Sequence, residues 1–192
     1  MIKQDIILIG GGGHCRSVID VIELENKYTI AGIVVNDLPK GSNILGYEVI
    51  GCDDDLAVLH EKYKNAIVTI GQIRSSHIRI KLFRKLKEIG YVLPIVVSPL
   101  AYVSRYAKVG EGTVVMHQAL LNANVQVGEN CIINTKALLE HDVTVEDHCH
   151  IATAAVVNGG TIVRENSFFG SNAVSKETIE VRGFIKAGSI VK

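Results

Sequence analysis

The sequence predicts two domains of different kinds: a small Rossmann-like α/β domain with a parallel sheet over residues 1–94, then a parallel β-helix over residues 95–192. Two changes of period predict this. Up to about Leu93, short β-branched runs alternate with stretches of helical spacing. From Val97 onward, large apolar residues recur at every sixth position instead. Composition agrees with both halves. Of the 192 residues, 47% are hydrophobic and only 5% aromatic, so the core is built from Val, Ile, Ala and Leu, which favours β structure with small inward side chains.

The first half reads as a βαβ beginning. Ile6 to Ile9 is a strand, about Cys15 to Leu24 a helix, and Thr29 to Val35 a second strand. A turn-rich segment, Asn36 to Gly46, precedes a third strand at Tyr47 to Ile50. Asp53 to Asp55 open a helix with Leu56, Leu59 and Tyr63 on one face, and Ala66 to Ile70 is the fourth strand. Ser75 or Ser76 caps a last helix, which runs through Ile89 with Ile78, Leu82, Leu86 and Ile89 on its apolar face and closes at Gly90.

In the second half, positions at steps of six from Val97 to Phe169 are all large and apolar, thirteen in a row. Four residues after each stands a small or β-branched residue, from Ala101 to Ala173. One bulky and one small inward position per hexad is the pattern of a parallel β-helix in which three hexads make a triangular coil. A β-sandwich would show period two and a turn signal every 8 to 12 residues or so. The pattern breaks at Ser175 and resumes with Ile179, Ile185 and Val191 in a shifted phase, which reads as an insertion of four residues. Cys131 and Cys149 fall at the same inward position of successive coils and read as stacked core thiols rather than a disulfide.

Charge excludes one class of partner. Lys plus Arg and Asp plus Glu are both 20, so no net field favours nucleic acid or an anionic membrane surface. The apolar run before the glycines is too short for a signal-peptide core or a membrane span. The four cysteines lack a C-x-x-C pair or a secreted framework, so reduced thiols and a cytoplasmic location are expected.

Three motifs carry a family resemblance across the whole chain. They are I-L-I-G-G-G-G-H (Ile7 to His14), I-N-T-x-A-L-L-E-H-D (Ile133 to Asp142), and His150 nine residues beyond His141. With the hexads, they make the chain similar to the hexapeptide-repeat sugar acyltransferases of the sialic acid O-acetyltransferase and UDP-4-amino-sugar N-acetyltransferase type. That resemblance implies a left-handed β-helix, a homotrimer with sites at subunit interfaces, and acetyl-CoA as acyl donor with no metal. It implies a UDP-linked 4-amino-dideoxy sugar in bacterial surface glycan biosynthesis as acceptor, or alternatively a sialic-acid-like nonulosonic acid acetylated on oxygen. By the same resemblance His141 is the general base, assisted by Asp142 and Glu140. Cofactor contacts map to His150, Asn134 and Gly159, and nucleotide-sugar contacts to Gly12, Gly13, His14, Asn36, Asp37 and Gly71. Asn36 replaces a common acidic residue of the family, and the V-P-A-K-like tail is replaced by Ile185 to Lys192.

The chemistry suits these residues. Acetyl transfer needs a base that removes a proton while the acceptor adds to the thioester carbonyl, and histidine has an ordinary pKa of about 6.5. A flanking carboxylate holds one ring nitrogen protonated and leaves the other as base. Both substrates bind together and react directly, without an acyl-enzyme. The Asn158-Gly159-Gly160 run lets backbone N–H groups approach a developing oxyanion. His141, His148 and His150 with Asp147 also invite a zinc site like that of γ-type carbonic anhydrases, which lack the α/β front domain. A nicotinamide fingerprint fails, because the third glycine of G-x-G-x-x-G falls on Cys15 or Arg16. The glycine turn before a helix still makes an anion site fit for a nucleotide diphosphate.

Overall fold

The computed structural model describes residues 3–192; Met1 and Ile2, where the first expected domain begins, lie outside them. The chain forms two compact units. One comprises residues up to Gly71 together with His77–Pro94, and the other Gln72–Ser76 together with Ile95–Lys192.

In the first unit, β1 (Gln4–Ile9), β2 (Tyr28–Val34), β4 (Tyr47–Gly51) and β5 (Asn65–Val68) are parallel, and β3 (Asn43–Ile44) joins antiparallel on β4. The sheet order is β3-β4-β2-β1-β5. The segment expected to be only turn, Asn36 to Gly46, therefore contains β3. Its two residues are a short edge strand held by a hairpin with Leu45 and Gly46 at positive φ, which period counting does not detect. Ile6 to Ile9 are fully buried, as a strand covered on both faces requires. Helices α1 (Gly13–Glu25), α2 (Leu56–Lys62) and α3 (His77–Ile89) accompany the sheet. Helix α3 ends in a Schellman arrangement: Gly90 (φ 102°) donates to Lys87 O at 3.0 Å and Tyr91 to Leu86 O at 3.0 Å.

The buried face of α3 differs from expectation. It consists of Arg79, Leu82, Phe83 and Leu86, while Ile78 is 61% exposed. Arg79 lies 1% exposed and donates from Nη1 to Val68 O at 2.7 Å and Ile70 O at 3.0 Å. Both carbonyls lie at the carboxyl end of β5, so the guanidinium replaces the ladder partners the backbone there would otherwise need.

The second unit is a parallel β-helix of two-residue strands in three sheets of six, five and six strands. Each strand pairs with the strand one coil later. Leu120-Leu121 lies beside Leu138-Leu139, which lies beside Val156-Val157. The second residue of each strand points inward, so Val115, Leu121, Val127, Ile133, Leu139 and their successors form one continuous core with the small positions from Ala119 to Ala173. Inward hydroxyls are satisfied within it: Thr113 Oγ1 donates to Gly128 O at 2.8 Å and Thr161 Oγ1 to Lys176 O at 2.8 Å. Cys131 and Cys149 are stacked and fully buried, and burial pushes the Cys149 thiol well up.

Two features of the coil are not visible in the six-residue period. Every sixth residue from Gln118 to Asp142 and on to Thr178 turns a corner at positive φ, with glycine at Gly160. The irregularity near the C-terminus is a deletion of two residues, not an insertion of four. Ser175 is buried and on a strand, and Val181 keeps the eighteen-residue register with Val163. Only afterwards does the pairing shorten, with Phe169 beside Ile185 and Ser175 beside Val191. Ser175 reads as a break in the sequence because it is a polar residue at a bulky position.

Replacing Arg79 with Met strands the Val68 and Ile70 carbonyls and removes a charge-assisted pair of bonds. Urea unfolding is expected to show a loss on the order of 2–4 kcal/mol.

Candidate active site

Each unit carries one grouping of the expected residues. In the α/β unit, the carboxyl ends of β1 and β2 open onto a cleft of about 250 Å³ lined by Gly10 to Gly12, Asn36, Asp37, Asp53, Ile70 and Ile78. The glycines divide by cause. A Cβ on Gly10 (φ 112°) would stand 2.4 Å from Ile70 Cγ1, and one on Gly11 2.7 Å from Ile44 Cδ1, so packing requires both. A Cβ on Gly12 or Gly13 would meet nothing within 4 Å. Those two leave open space in front of α1, whose N-cap Gly12 has no side-chain cap. The first-turn N–H groups there face outward, as at anion-binding helix ends.

Of the other expected contacts, Asn36 and Asp37 stand exposed at the end of β2. Asn36 is tied to Asp53, which the sequence presents only as a helix opener. Its Nδ2 donates to Asp53 Oδ2 at 2.9 Å, and the Asp53 N–H donates to Asn36 Oδ1 at 2.9 Å. Gly71 and His14 are neighbours, 3.5 Å separating His14 Cβ from the place a Gly71 Cβ would take, but neither lines the cleft. In the sequence Asp53, Ile70 and Ile78 fit helix opening, strand and helix core, and nothing in their spacing distinguishes a cleft from those roles.

In the β-helix, Glu140, His141 and Asp142 form a corner between the strands Leu138-Leu139 and Thr144-Val145. His141 Nδ1 lies 2.8 Å from Asp142 Oδ2, and Asn124 Nδ2 donates to Asp142 Oδ1 at 2.8 Å. The carboxylate therefore holds the imidazole with one oxygen and is itself held through the other. It raises the His141 pKa above the ordinary histidine value, with the Glu140 charge adding to the effect. Asp142 is lowered by the Asn124 bond first and the His141 bond second. The His141 side chain is 65% exposed, and its Nε2 has no hydrogen-bond partner among the described residues.

Glu140 plays a different part from the one expected. Its Oε2 accepts from Asn122 Nδ2 at 2.9 Å and from the His141 main-chain N–H at 3.3 Å, so it steadies the backbone and does not hold the ring. Gly159 is positioned by the imidazole: a Cβ there would stand 2.8 Å from His141 Cε1 and Nε2. Of the three N–H groups proposed for an oxyanion, Asn158's goes to Ser175 Oγ at 2.8 Å and Gly160's to His141 O at 3.0 Å. That leaves Gly159's uncommitted among the described residues.

His150 is 7% exposed and clamped from both sides. Asn134 Nδ2 stands 3.0 Å from its Nε2, while Asn134 Oδ1 accepts the Thr135 N–H at 2.8 Å. The amide can thus only donate to the ring, and Nδ1 carries the proton, given to Gln72 O. Gln72, absent from the sequence reading, is 2% exposed and also donates from Nε2 to His148 O at 2.8 Å. Asn130 Nδ2 stands 3.1 Å from His148 Nδ1. His148 lies at the corner between Thr144-Val145 and His150-Ile151, a different one from that of His141, and no three His, Cys, Asp or Glu side chains are grouped to hold a metal among the described residues. No helix among those residues is long and apolar enough to cross a membrane.

Comparisons with known proteins add the following. The profile of the PglD N-terminal domain family matches residues 5–86. No curated protein sequence matches the chain. Among solved structures, perosamine N-acetyltransferase from Caulobacter crescentus, in complex with CoA and GDP-perosamine, is 32% identical, and the match covers 100% of this chain and 90% of that one with a TM-score of 0.91. A variant of that enzyme with one histidine replaced by asparagine, carrying the same two ligands, is 31% identical over the same shares with a TM-score of 0.92. The acetyltransferase domain of PglB from Neisseria gonorrhoeae, in complex with acetyl coenzyme A, is 28% identical over 99% of this chain and 93% of that one, with a TM-score of 0.88.

The hydrogen bonds at the corner predict its titration. By NMR, the His141 ring should titrate above about 6.5. Asp142→Asn should bring it down towards that value, because the charge and the bond that favour imidazolium are both weakened.

Proposed function

The chain belongs to the hexapeptide-repeat, left-handed β-helix sugar N-acetyltransferases that use CoA thioesters, and on that premise we propose that it transfers an acetyl group from acetyl-CoA to the amine of a nucleotide-linked 4-amino-4,6-dideoxy sugar. The observation that carries this reading is the exposed imidazole of His141, held at Nδ1 by Asp142 and left with an open Nε2 facing the gap at Gly159. The nucleotide occupies the cleft at Gly12, Gly13, Asn36 and Asp37, with its diphosphate before α1.

In the proposed mechanism, Nε2 of neutral His141 takes a proton from the sugar ammonium or from the amine as it adds to the thioester carbonyl. Asp142 stabilises the imidazolium that forms. The Gly159 N–H is the donor placed for the oxyanion, and collapse of the tetrahedral adduct expels CoA thiolate. Asn134 and His150, locked together, form a rigid wall for the pantetheine arm rather than a source of free ring nitrogens. Transfer to a hydroxyl of a nonulosonic acid would use the same base and is separated by the acceptor assay below.

The active assembly is a homotrimer with the site at a subunit interface. Supporting this, one outer face of the β-helix presents Tyr102, Leu120, Leu138, Val156, Val174 and Ile190 in one apolar stripe, with Tyr102 and Ile190 60% and 73% exposed. A continuous apolar stripe of this kind marks a contact between chains, and the His141 corner borders it. Use of acetyl-CoA fits the expected cytoplasmic location.

The assay is thiol release from acetyl-CoA against GDP- and UDP-linked 4-amino sugars and nonulosonic acids. Release with a nucleotide amino sugar is expected, and His141→Ala should lower turnover at least 100-fold with the trimer unchanged by light scattering. Near-normal turnover in that variant would refute the assignment. Gly159→Ala should also lose turnover, because its methyl group enters the space of the imidazole.

A further inference from the structure

Along the carboxyl edge of the α/β sheet, strand order fixes what a ligand meets. The order β4-β2-β1 places the open glycines Gly12 and Gly13 after β1, Asn36 and Asp37 after β2, and Asp53 after β4. A nucleotide whose diphosphate sits before α1 then has its ribose over the end of β2 and its base over the end of β4. We infer that Asp53 reads that base and selects guanine over uracil. The inference rests on the nucleotide-sugar reading of the cleft and adds the identity of the base to it.

Asp53 is the acid placed for this. The neighbouring Asp55 is committed, its Oδ2 accepting the Cys52 N–H at 2.8 Å, whereas Asp53 lines the cleft. Its position is fixed from two sides. The reciprocal bonds with Asn36, both 2.9 Å, hold the side chain and the N–H, and Lys85 Nζ donates to the Asp53 main-chain oxygen at 2.5 Å. Asn36 uses one carboxylate oxygen, and the other has no partner among the described residues. Val35, Ile70 and Ile78 line the same cleft, and Ile78 stands 61% exposed, giving a flat base an apolar surface to lie on.

The bases differ in what they offer a carboxylate. Guanine presents N1–H and the N2 amino group side by side, two donors matched to one carboxylate, with O6 next to them for the second N–H of Asn36. Uracil presents a single N3–H between two carbonyl oxygens, which a carboxylate repels. Adenine and cytosine each set their one amino donor beside an acceptor. A fixed carboxylate therefore favours guanine by attraction and disfavours the others by unpaired or repelled groups.

Calorimetric titration with free GDP and free UDP tests this on the whole protein. The unaltered chain should bind GDP at least tenfold more tightly than UDP. Asp53→Asn keeps the shape and can still accept from Asn36; it should lose tenfold or more of the GDP affinity while UDP binding is unchanged or tighter, so that retained UDP binding also reports a folded cleft. Equal binding of the two nucleotides by the unaltered chain, or equal loss of both on Asp53→Asn, would overturn the inference and leave the nucleotide-sugar reading standing. Binding of neither nucleotide would overturn both.

Discussion

In the β-helix, up to the last coil, each residue lies against the one eighteen positions later, and this stacking decides both what forms the core and what stands beside His141. It lets one bulky and one small side chain per hexad fill the interior from coil to coil. The same spacing builds the His141 corner. Asn122 lies one coil before Glu140, Asn124 one coil before Asp142, and Gly159 one coil after His141. The two asparagines hold the two carboxylates, and the glycine leaves the volume the imidazole needs. Even the positive φ of Asp142 is a property of the coil, shared by the corner residue of every hexad around it.

That stacking explains why so much of the second unit was legible in the sequence. Inward positions repeat without exception over thirteen hexads, and a spacing of eighteen follows from three hexads per coil. The pattern carried the core, the stacked cysteines and the outward placement of His141. It misled only where a polar residue took a bulky position: Ser175 is buried and hydrogen-bonded to Asn158, yet it reads as a break. The role of Glu140 was also illegible, because sequence adjacency puts it as near to His141 as Asp142, while the turn of the corner sends its side chain to Asn122 instead.

The α/β unit was less legible because its determinants are not periodic. The strands and helices followed from apolar runs, but Arg79 occupies a core position that a hydrophobic pattern assigns to Ile78, because two carbonyls at the end of β5 need a donor more than the core needs another methyl group. Asp53 looks like one of three helix-opening acids until the sheet order sets it beside Asn36. Gln72 belongs by sequence to the first domain, yet its hydrogen bonds are to His148 and His150.

The proposed mechanism makes one chemical requirement, a neutral imidazole at His141 with its Nδ1 proton held by Asp142. The most direct test is the pH dependence of kcat/KM for the amino-sugar acceptor in the unaltered protein and in Asp142→Asn. If His141 is the base, the rate rises with pH through the same pKa that the His141 ring shows by NMR, and the midpoint moves to lower pH together with the ring in Asp142→Asn. A profile whose midpoint ignores Asp142→Asn, or differs from the titration of the His141 ring, would contradict the account.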